Sequence, residues 1–422
     1  MREEQWVFTS MASITAIVPT YNRAEYLAQA VNALWSQTRR PDDIIVWDDG
    51  SVDGTATVAR ELGDKIRYFR SDNGGKSRAL NAAMGEARGD LIWICDDDDL
   101  ALPDAAETLA GMLEAAPDAG VAGGSYRRFQ DRPDGRRDEQ GPGYWPDLSS
   151  GVPIRHLLED IFLFQNATLV RRDLYDRAGP FREDLARSID YDMIIRLGTL
   201  APIRTTDKPL FLQRKHDGDR GPAAARHAAV RSDVVWKAAD RAIFSDFRNR
   251  IPLGFYEAMF LSEDPAFACR AALLQRACVH ARRTDWPAAL EDFRAATGVA
   301  PETSLGTLER AICRRAMAGK HGIEEVLVPE IRQELAALGR VSRAGASVTR
   351  ALARGLAWRA KAAVKEGDLG ATNRILRLTF SLLSTGRQPG GDAPTIRECR
   401  DLPAAAFLTS WQTPVQQGST PQ

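Results

Sequence analysis

Short apolar runs alternate with helical patterns over the first hundred residues. Runs rich in β-branched and aromatic residues predict four strands, at residues 14–18, 44–47, 66–69 and 91–95. Apolar residues recur at helical spacing in the intervening segments 24–37, 55–62 and 76–87. This alternation predicts an α/β fold, with a mostly parallel, Rossmann-like sheet covered by helices on both faces.

The strand pattern disappears from about residue 223 onward. Segments rich in Ala, Arg and Leu with helical spacing follow, so we expect a leader at 1–12, an α/β domain at 13–220, a mainly helical domain at 221–385 and a tail at 386–422. The leader and most of the tail are predicted to be disordered.

Residues 277–301 resemble one tetratricopeptide repeat, but a stack needs about three, so a generic helical bundle is the alternative. Residues 130–146 predict a loop over an acceptor site or a plain surface loop.

Composition excludes several classes of protein. With 44% apolar and 27% charged residues, the 422-residue chain has the composition of a globular protein. Its formal charge of −1 gives no general attraction to nucleic acid, so we expect no nucleic-acid partner. The five scattered cysteines form no Cys-x-x-Cys pair, which favours reduced thiols over a disulfide framework or zinc site. Without a signal peptide or an apolar run of about 20 residues, we expect a cytoplasmic protein.

Four consecutive aspartates, residues 96–99, follow the fourth predicted strand. Adjacent carboxylates repel one another unless a cation lies among them or they are fully solvated. Hard oxygen ligands suit Mg²⁺ or Mn²⁺, which often share their coordination shell with substrate phosphates. The alternative is a solvated acidic turn before the helix that begins near Pro103.

The predicted sheet should bring this acidic run close to other polar segments. Ligands of such sheets bind outside the carboxyl ends of the strands. Those ends also carry Pro-Thr-Tyr-Asn at 19–22 and the aspartate pair at 48–49, so we expect all three segments at one edge. Gly74 and Gly75, just before Lys76 and Arg78, offer exposed amides and cations that would suit a diphosphate. A plain turn is the alternative for the two glycines.

Together these segments resemble glycosyltransferase family 2, which has the GT-A fold. The resemblance is carried by Ala-Ile-Val-Pro-Thr-Tyr-Asn at 16–22, Asp-Asp-Gly-Ser at 48–51, Asn-Gly-Gly-Lys-Ser-Arg-Ala-Leu-Asn at 73–81 and the aspartates at 96–99. It continues through Gly-Pro-Phe at 179–181, Asp-Tyr-Asp-Met-Ile-Ile-Arg at 190–196 and Arg-Lys-His at 214–216. It implies a metal-dependent, inverting transferase that moves one sugar from a UDP-, GDP- or dTDP-linked donor to a hydroxyl of a saccharide, lipid-linked or protein acceptor.

The resemblance also assigns roles in nucleotide binding. Pro19, Thr20 and Tyr21 would line the nucleotide pocket, and Asp49 would accept a hydrogen bond from the base. Asp96 would be the first acid of an Asp-x-Asp pair and would contact the ribose or the metal's waters. The middle position of that pair is often small in the family but is an aspartate here, which leaves open which acids contact the metal.

Roles in metal binding and catalysis follow in the same way. Asp98 would be the direct ligand of the divalent cation, and Lys76 or Arg78 would stabilise the departing diphosphate. Asp190 would be the general base that removes the acceptor's proton, with a helix N-cap as its structural alternative. His216 would approach the diphosphate or the metal, or would simply be solvated. The position before Asp190 is often Glu in relatives but is Ile here.

Basic residues outnumber acidic ones between positions 340 and 387. One helical face would carry the cations, and the opposite face the apolar residues: Arg343, Arg350, Arg354, Lys361 and Lys365 against Val348, Leu352 and Leu356. This pattern predicts either peripheral contact with anionic lipid at the inner face of the membrane or a packed helix with a solvated basic side. Docking of an acceptor carrier and formation of an oligomer are further roles for the helical half.

Two other functions compete with the transferase. A nucleotidyltransferase on a related fold would also use acids and a metal, but we would expect a Gly-rich, basic loop after the first strand, where this chain has Pro-Thr-Tyr-Asn. A non-catalytic helical interaction protein could carry an inactive sugar-nucleotide domain. The presence of both Asp98 and Asp190 argues against that alternative.

Overall fold

The computed structural model describes residues 11–215, 232–384 and 394–411. Most of the predicted leader, His216 and about half of the predicted tail therefore lie outside the described residues. The described chain forms two compact units. The first contains residues 11–146, 162–215 and 409–411, and the second contains 147–161, 232–384 and 394–408.

Strands and helices are numbered in chain order. The strands of the described residues are β1 (Ile14–Thr20), β2 (Asp43–Asp48), β3 (Arg67–Arg70), β4 (Leu91–Ile94), β5 (Leu100–Ala101), β6 (Val121–Asp131), β7 (Arg137–Pro142), β8 (Thr168–Arg171), β9 (Ile203–Arg214), β10 (Phe260–Leu261) and β11 (Arg397–Glu398). The α-helices are α1 (Ala24–Trp35), α2 (Thr55–Leu62), α3 (Lys76–Glu86), α4 (Ala105–Ala115), α5 (Pro153–Glu159), α6 (Arg172–Ala178), α7 (Ile189–Leu200), α8 (Ser232–Arg250), α9 (Leu253–Glu257), α10 (Pro265–Arg282), α11 (Trp286–Gly298), α12 (Thr307–Ala316), α13 (Pro329–Val341), α14 (Arg343–Gly355), α15 (Ala357–Glu366) and α16 (Leu369–Leu383).

The first unit is built on one nine-stranded sheet. Its strand order is β3-β2-β1-β4-β8-β6-β9-β5, with β7 paired to β6. Strands β1 to β4 pair in parallel, as does β6 with β9, whereas β8, β5 and β7 pair in an antiparallel manner. The sheet, its helices and the helical region that follows confirm the predicted fold class.

Burial on both faces explains why the central strands were readable in the sequence. All seven residues of β1 are buried, and it lies between β2 and β4 in the sheet. The indole of Trp93 in β4 is fully buried and donates a 2.9 Å hydrogen bond to the carbonyl oxygen of Asn166. Gly89 lets the chain pass close to β1, because a Cβ there would lie 2.5 Å from the backbone nitrogen of Thr15.

The predicted loop at 130–146 is wrong for part of its length. Strand β6 extends to Asp131, and β7 pairs with it in an antiparallel hairpin whose turn covers residues 132–136. Five of the six residues of β7 are exposed, so this strand has no buried face and no apolar alternation to reveal it. The expectation that strands end before the helical half also fails locally, because β10 and β11 form a small antiparallel pair.

The second unit is mainly helical and has its own core. The residues that suggested a repeat unit, Trp286, Ala289, Phe293 and Ala296, lie on the buried side of α11. Arg270 on α10 and Glu309 on α12 form a fully buried ion pair with N–O distances of 2.6 and 2.8 Å.

Among the helices that the structure describes, none combines the length and the apolar character that crossing a bilayer requires.

Candidate functional site

Three polar segments meet at one edge of the sheet of the first unit. Strands β1, β2 and β4 are parallel, with Thr20 paired to Asp48 and Ile17 paired to Ile94. Their carboxyl ends therefore lie side by side. The backbone bonds continue past the strands, from Asp49 N to Thr20 O and from Cys95 N to Ile17 O, both 2.9 Å. The structure thus places the residues after β1, β2 and β4 along one edge.

The acidic run is packed into the protein at two of its four positions. Asp97 and Asp99 are only 8% and 7% exposed, so a fully solvated acidic turn is wrong. Asp99 accepts hydrogen bonds from the backbone nitrogen of Arg214 and from the side-chain nitrogen of Asn166, both at 2.8 Å. The side-chain oxygen of Asn166 accepts a 3.0 Å hydrogen bond from the backbone nitrogen of Asp96. Asn166 therefore fixes both ends of the run, a role that no motif in the sequence signals.

Protein cations offset the charge of the two more exposed acids. The Lys76 ammonium forms an ion pair with Asp96, and the Arg23 guanidinium lies 3.7 Å from a carboxylate oxygen of Asp98. Burial and the neighbouring Asp98 raise the pKa of Asp97 to about 7. The repulsion expected from the sequence is thus reduced by two cations and by the raised pKa of a buried acid. Arg23 follows the Pro-Thr-Tyr-Asn segment directly but belongs to none of the motifs that predicted the site.

Asp190 lies in the first turn of α7 and shares its electrostatic surroundings with Lys76. The N-cap alternative is wrong, because the N-cap position belongs to Ser188 and the helix begins at Ile189. Burial raises the pKa of Asp190, while the Lys76 charge acts in the opposite direction. Burial opposes the charge of Lys76, but Asp96 and Asp190 outweigh it and raise the lysine pKa. One ammonium therefore interacts with the acidic run and with Asp190.

Asp49 organises the turn that precedes α3. Its buried carboxylate accepts 2.8 Å hydrogen bonds from the backbone nitrogens of Gly74 and Gly75, and a 3.0 Å bond from the Asn73 side chain. The expectation that both glycine amides are exposed for a diphosphate is therefore wrong. The carboxylate predicted to contact the base holds those amides itself.

The remaining predicted residues differ in their surroundings. Pro19 and Thr20 end β1 and are buried, and Tyr21 follows them half-buried at the same edge. Arg78 is exposed on α3, and no salt bridge joins it to the described part of the chain. Of the two cations considered for the diphosphate, the structure thus brings Lys76 to the acids. His216 lies outside the described residues.

A pocket opens beside Asp190. It is small, with a cavity of about 10 Å³, and its lining is mostly apolar: Leu163, Phe164, Gln165, Thr168, Tyr175, Asp190, Met193, Ile194 and Leu197. Both polar atoms of the Gln165 side chain are buried without a hydrogen-bond partner among the described residues. An unpaired amide beside a carboxylate is a candidate contact for a hydroxyl-bearing ligand. No sequence signal pointed to Gln165.

The exposed acids fit a divalent cation that keeps part of its shell free. The side chains of Asp96 and Asp98 are 36% and 20% exposed, whereas those of Asp97 and Asp99 are buried. Within the described ranges, no three His, Cys, Asp or Glu side chains converge as a metal site. Two carboxylates suit Mg²⁺ or Mn²⁺ because these ions commonly take their remaining ligands from water and substrate phosphates.

Sequence comparisons agree with the motifs at this edge. The family model described as glycosyl transferase family 2 matches residues 15–179. An uncharacterised glycosyltransferase of Rickettsia conorii is 25% identical over 268 residues, which cover 63% of this chain and 44% of the relative. Another from Rickettsia bellii is 38% identical over 238 residues, which cover 53% of this chain and 33% of the relative. The chain thus spans less than half the length of either relative.

Residues 1–349 of Staphylococcus aureus TarS, in complex with UDP-GlcNAc, align with a TM-score of 0.49 and 17% sequence identity over 82% of this chain and 91% of that chain.

The family match covers the segments that form the edge site. It spans β1, the ends of β2 and β4, the acidic run and α3, and it ends just before the segment that leads to α7. Residues 15–179 of this chain therefore constitute a glycosyl transferase family 2 domain, on the GT-A-like α/β fold that the sequence predicts.

Proposed function

We propose that this protein is a metal-dependent, inverting glycosyltransferase that moves one sugar from a nucleotide-sugar donor to an acceptor hydroxyl. The observation that carries the proposal is the position of Lys76. Its ammonium is paired with Asp96 and interacts with Asp190, so it connects the acidic run with the candidate base on α7. A site of this kind combines groups for a departing diphosphate with a carboxylate for an attacking hydroxyl.

Each residue has a role in this proposal. Asp190 removes the proton of the acceptor hydroxyl while the hydroxyl oxygen forms a bond to the anomeric carbon of the donor sugar. The bond from that carbon to the diphosphate oxygen breaks in the same step, which inverts the stereochemistry. Lys76 supplies positive charge near the leaving group. Asp96 and Asp98 would hold the divalent cation, which would help to neutralise the diphosphate when bound.

Donor and acceptor are proposed by class only. The donor is a UDP-, GDP- or dTDP-linked sugar, and the acceptor is a saccharide, a lipid-linked molecule or a protein. All five cysteines are free thiols, which supports a reducing compartment, so cytoplasmic location is part of the proposal. Synthesis of a cell-surface polysaccharide or glycolipid would suit such an enzyme.

The test is release of free nucleotide from a panel of nucleotide sugars with Mn²⁺. We expect one donor class to raise the melting temperature and to give turnover with an acceptor, because a ligand stabilises the state that binds it. Asp98→Ala should remove the metal-dependent part of nucleotide binding. Asp72→Ala is the matched control, since Asp72 is an exposed aspartate before α3. Failure of every donor to bind or turn over would contradict the proposal.

A further inference from the structure

Helix α16 carries apolar side chains on two different sides. Ile375, Leu378 and Leu382 form its buried face. On another side, four large apolar side chains are exposed to solvent: Leu369 by 79%, Leu376 by 42%, Phe380 by 69% and Leu383 by 45%. These four are spaced by seven, four and three residues, so they share one side of the helix. A contiguous exposed apolar side of this kind marks a binding surface.

The preceding helix, α15, also exposes large apolar side chains. Trp358 is 51% exposed and Val364 is 62% exposed. Lys361 and Lys365 are exposed on the same helix, and helical spacing places them on the side of Trp358. We call the exposed apolar residues of both helices, together with their neighbouring cations, the α15–α16 face.

The charge of the α15–α16 face is strongly positive. Residues 354–383 contain six Lys and Arg residues against two acids, Glu366 and Asp368. Both acids lie at the turn between the helices, where Asp368 accepts a 2.8 Å hydrogen bond from Ala371 N at the start of α16. No salt bridge to the described parts of the chain neutralises the five exposed cations: Arg354, Lys361, Lys365, Arg374 and Arg377.

The helix for which the sequence pattern suggested lipid contact is not the one that exposes apolar side chains. Val348, Leu352 and Leu356 were expected on the apolar side of an interfacial helix, but all three are 0% exposed. They belong to the core of the helical unit, so α14 is a packed helix. Apart from Val341 at the end of α13, the large exposed apolar side chains in the described residues 340–384 are instead those of α15 and α16.

We propose that the α15–α16 face binds the surface of an anionic phospholipid bilayer. Such a surface offers hydrocarbon for Phe380, Leu376 and Leu383 and negative headgroups for the unpaired cations. The indole of Trp358 has the mixed character that suits the boundary between headgroups and hydrocarbon. A second copy of the chain is the competing occupant. In a twofold contact it would bring the same cations face to face, and their repulsion argues against it.

The test is flotation of the full-length protein with phosphatidylcholine vesicles, with and without phosphatidylglycerol. We expect binding only to the anionic vesicles and release at high ionic strength. Phe380→Ser with Leu383→Ser should weaken binding about tenfold or more, from the apolar area lost. Arg374→Glu with Arg377→Glu should weaken it at least about fivefold for each cation removed.

Matched controls lie elsewhere on exposed surfaces. Val341→Ser removes an apolar side chain that is 80% exposed at the end of α13, and Arg314→Glu reverses an exposed cation on α12. Both should bind vesicles as the unchanged protein does. Equal binding to neutral vesicles, no binding to anionic ones, or a dimer that Phe380→Ser dissociates would overturn the proposal. Because no nucleotide sugar is present, the result is independent of the proposed transferase activity.

Discussion

Asp190 and Lys76 influence each other's protonation through the space between α3 and α7. Burial disfavours the carboxylate of Asp190 and raises its pKa, whereas the lysine ammonium favours the charged form. A general base acts only when it is deprotonated. The rate of transfer should therefore increase with pH through a pKa above the ordinary aspartate value of 3.8.

Replacing Asp190 should remove this pH dependence together with most of the activity. We expect Asp190→Asn to lower kcat by about 100- to 10,000-fold, the usual range for a general base, while donor binding is retained. The measurement is kcat against pH at saturating donor, with donor Kd measured separately. Asp72→Asn, at an exposed position, serves as the control. An equal loss of donor binding in Asp190→Asn would contradict the role of base.

Asn166 and Gln165 provide a second, paired prediction. The Asn166 side chain donates to Asp99 and accepts from the backbone of Asp96, whereas the polar atoms of Gln165 have no partner among the described residues. Asn166→Ala should lower the free energy of unfolding by about 1–3 kcal/mol, because it leaves buried polar groups unpaired. Gln165→Ala should change it much less. Urea unfolding of both variants measures the difference, and equal losses would contradict this account.

The site contains both side chains that the sequence predicted and side chains that it could not predict. Lys76 and Asp190 were found because they stand in family motifs, and the structure brings them close. Asn166 and Arg23 act through hydrogen bonds and charge between segments far apart in sequence, which no local pattern encodes. The two glycines before α3 suggested a phosphate turn, yet their amides are taken by Asp49, a contact across 25 and 26 positions.

At the scale of strands and helices, the hydrophobic pattern predicted the buried strands but missed an exposed one. Strands β1, β2 and β4 read clearly because their side chains are mostly or wholly buried. Strand β7 has five exposed residues of six and a polar sequence, so its pairing with β6 could not be read from periodicity. The N-cap alternative for Asp190 is wrong because α7 begins one residue earlier, at Ile189, with Ser188 at the N-cap.

The turn before α3 should depend on Asp49. Asp49→Ala would remove the acceptor of three hydrogen bonds, so the amides of Gly74 and Gly75 should exchange with deuterium at least about tenfold faster. Hydrogen exchange of residues 72–77, without any nucleotide, measures this. Asp53→Ala is the control, because Asp53 makes similar bonds to Thr55 at the start of α2. Unchanged exchange at both glycines would rule out this role of Asp49.

At the scale of the whole molecule, the chain does not divide into two contiguous segments. Residues 147–161 lie in sequence between parts of the first unit but group with the helical unit, and residues 409–411 group with the first unit. The predicted boundary near residue 220 was placed where the strand patterns end. Hydrophobic periodicity does not indicate that a segment groups with a unit distant from it in sequence. The proposed domains are therefore better tested with the full chain than with a segment cut at that boundary.

Glu159, at the end of α5, shows how residues 147–161 are held in the second unit. Its carboxylate accepts hydrogen bonds from Arg155 at 3.0 Å, from Gln275 at 2.9 Å and from Arg315 at 2.9 and 3.0 Å. Burial opposes its charge, but Arg315, Arg155 and Arg282 outweigh it and lower the pKa of Glu159 to about 2. The stabilisation is thus fully present above the ordinary value of 4.5 and is lost as the pH falls towards 2.

Acid unfolding of the second unit should therefore depend on Glu159. The protein should lose about 3 kcal/mol of unfolding free energy between pH 4.5 and 2 through this group. Burial and the charge of Arg155 lower the pKa of the neighbouring His156 to about 4. This group therefore lowers the unfolding free energy further as the pH falls from 6.5 to 4. Glu159→Gln should be about 3–5 kcal/mol less stable at neutral pH, since it leaves buried arginines without their carboxylate.

The two pH ranges separate the contributions of these neighbours. Below pH 4.5, the unfolding free energy of Glu159→Gln should fall less steeply with acidification than that of the unchanged protein. Above pH 4.5, the unfolding free energy of both proteins should still decrease with acidification because of His156. Urea unfolding followed by tryptophan fluorescence across this range measures both slopes. Glu330→Gln, at an exposed position on α13, should leave both unchanged. Parallel curves for the unchanged protein and Glu159→Gln would mean that the arginines around α5 do not hold this carboxylate in its charged form.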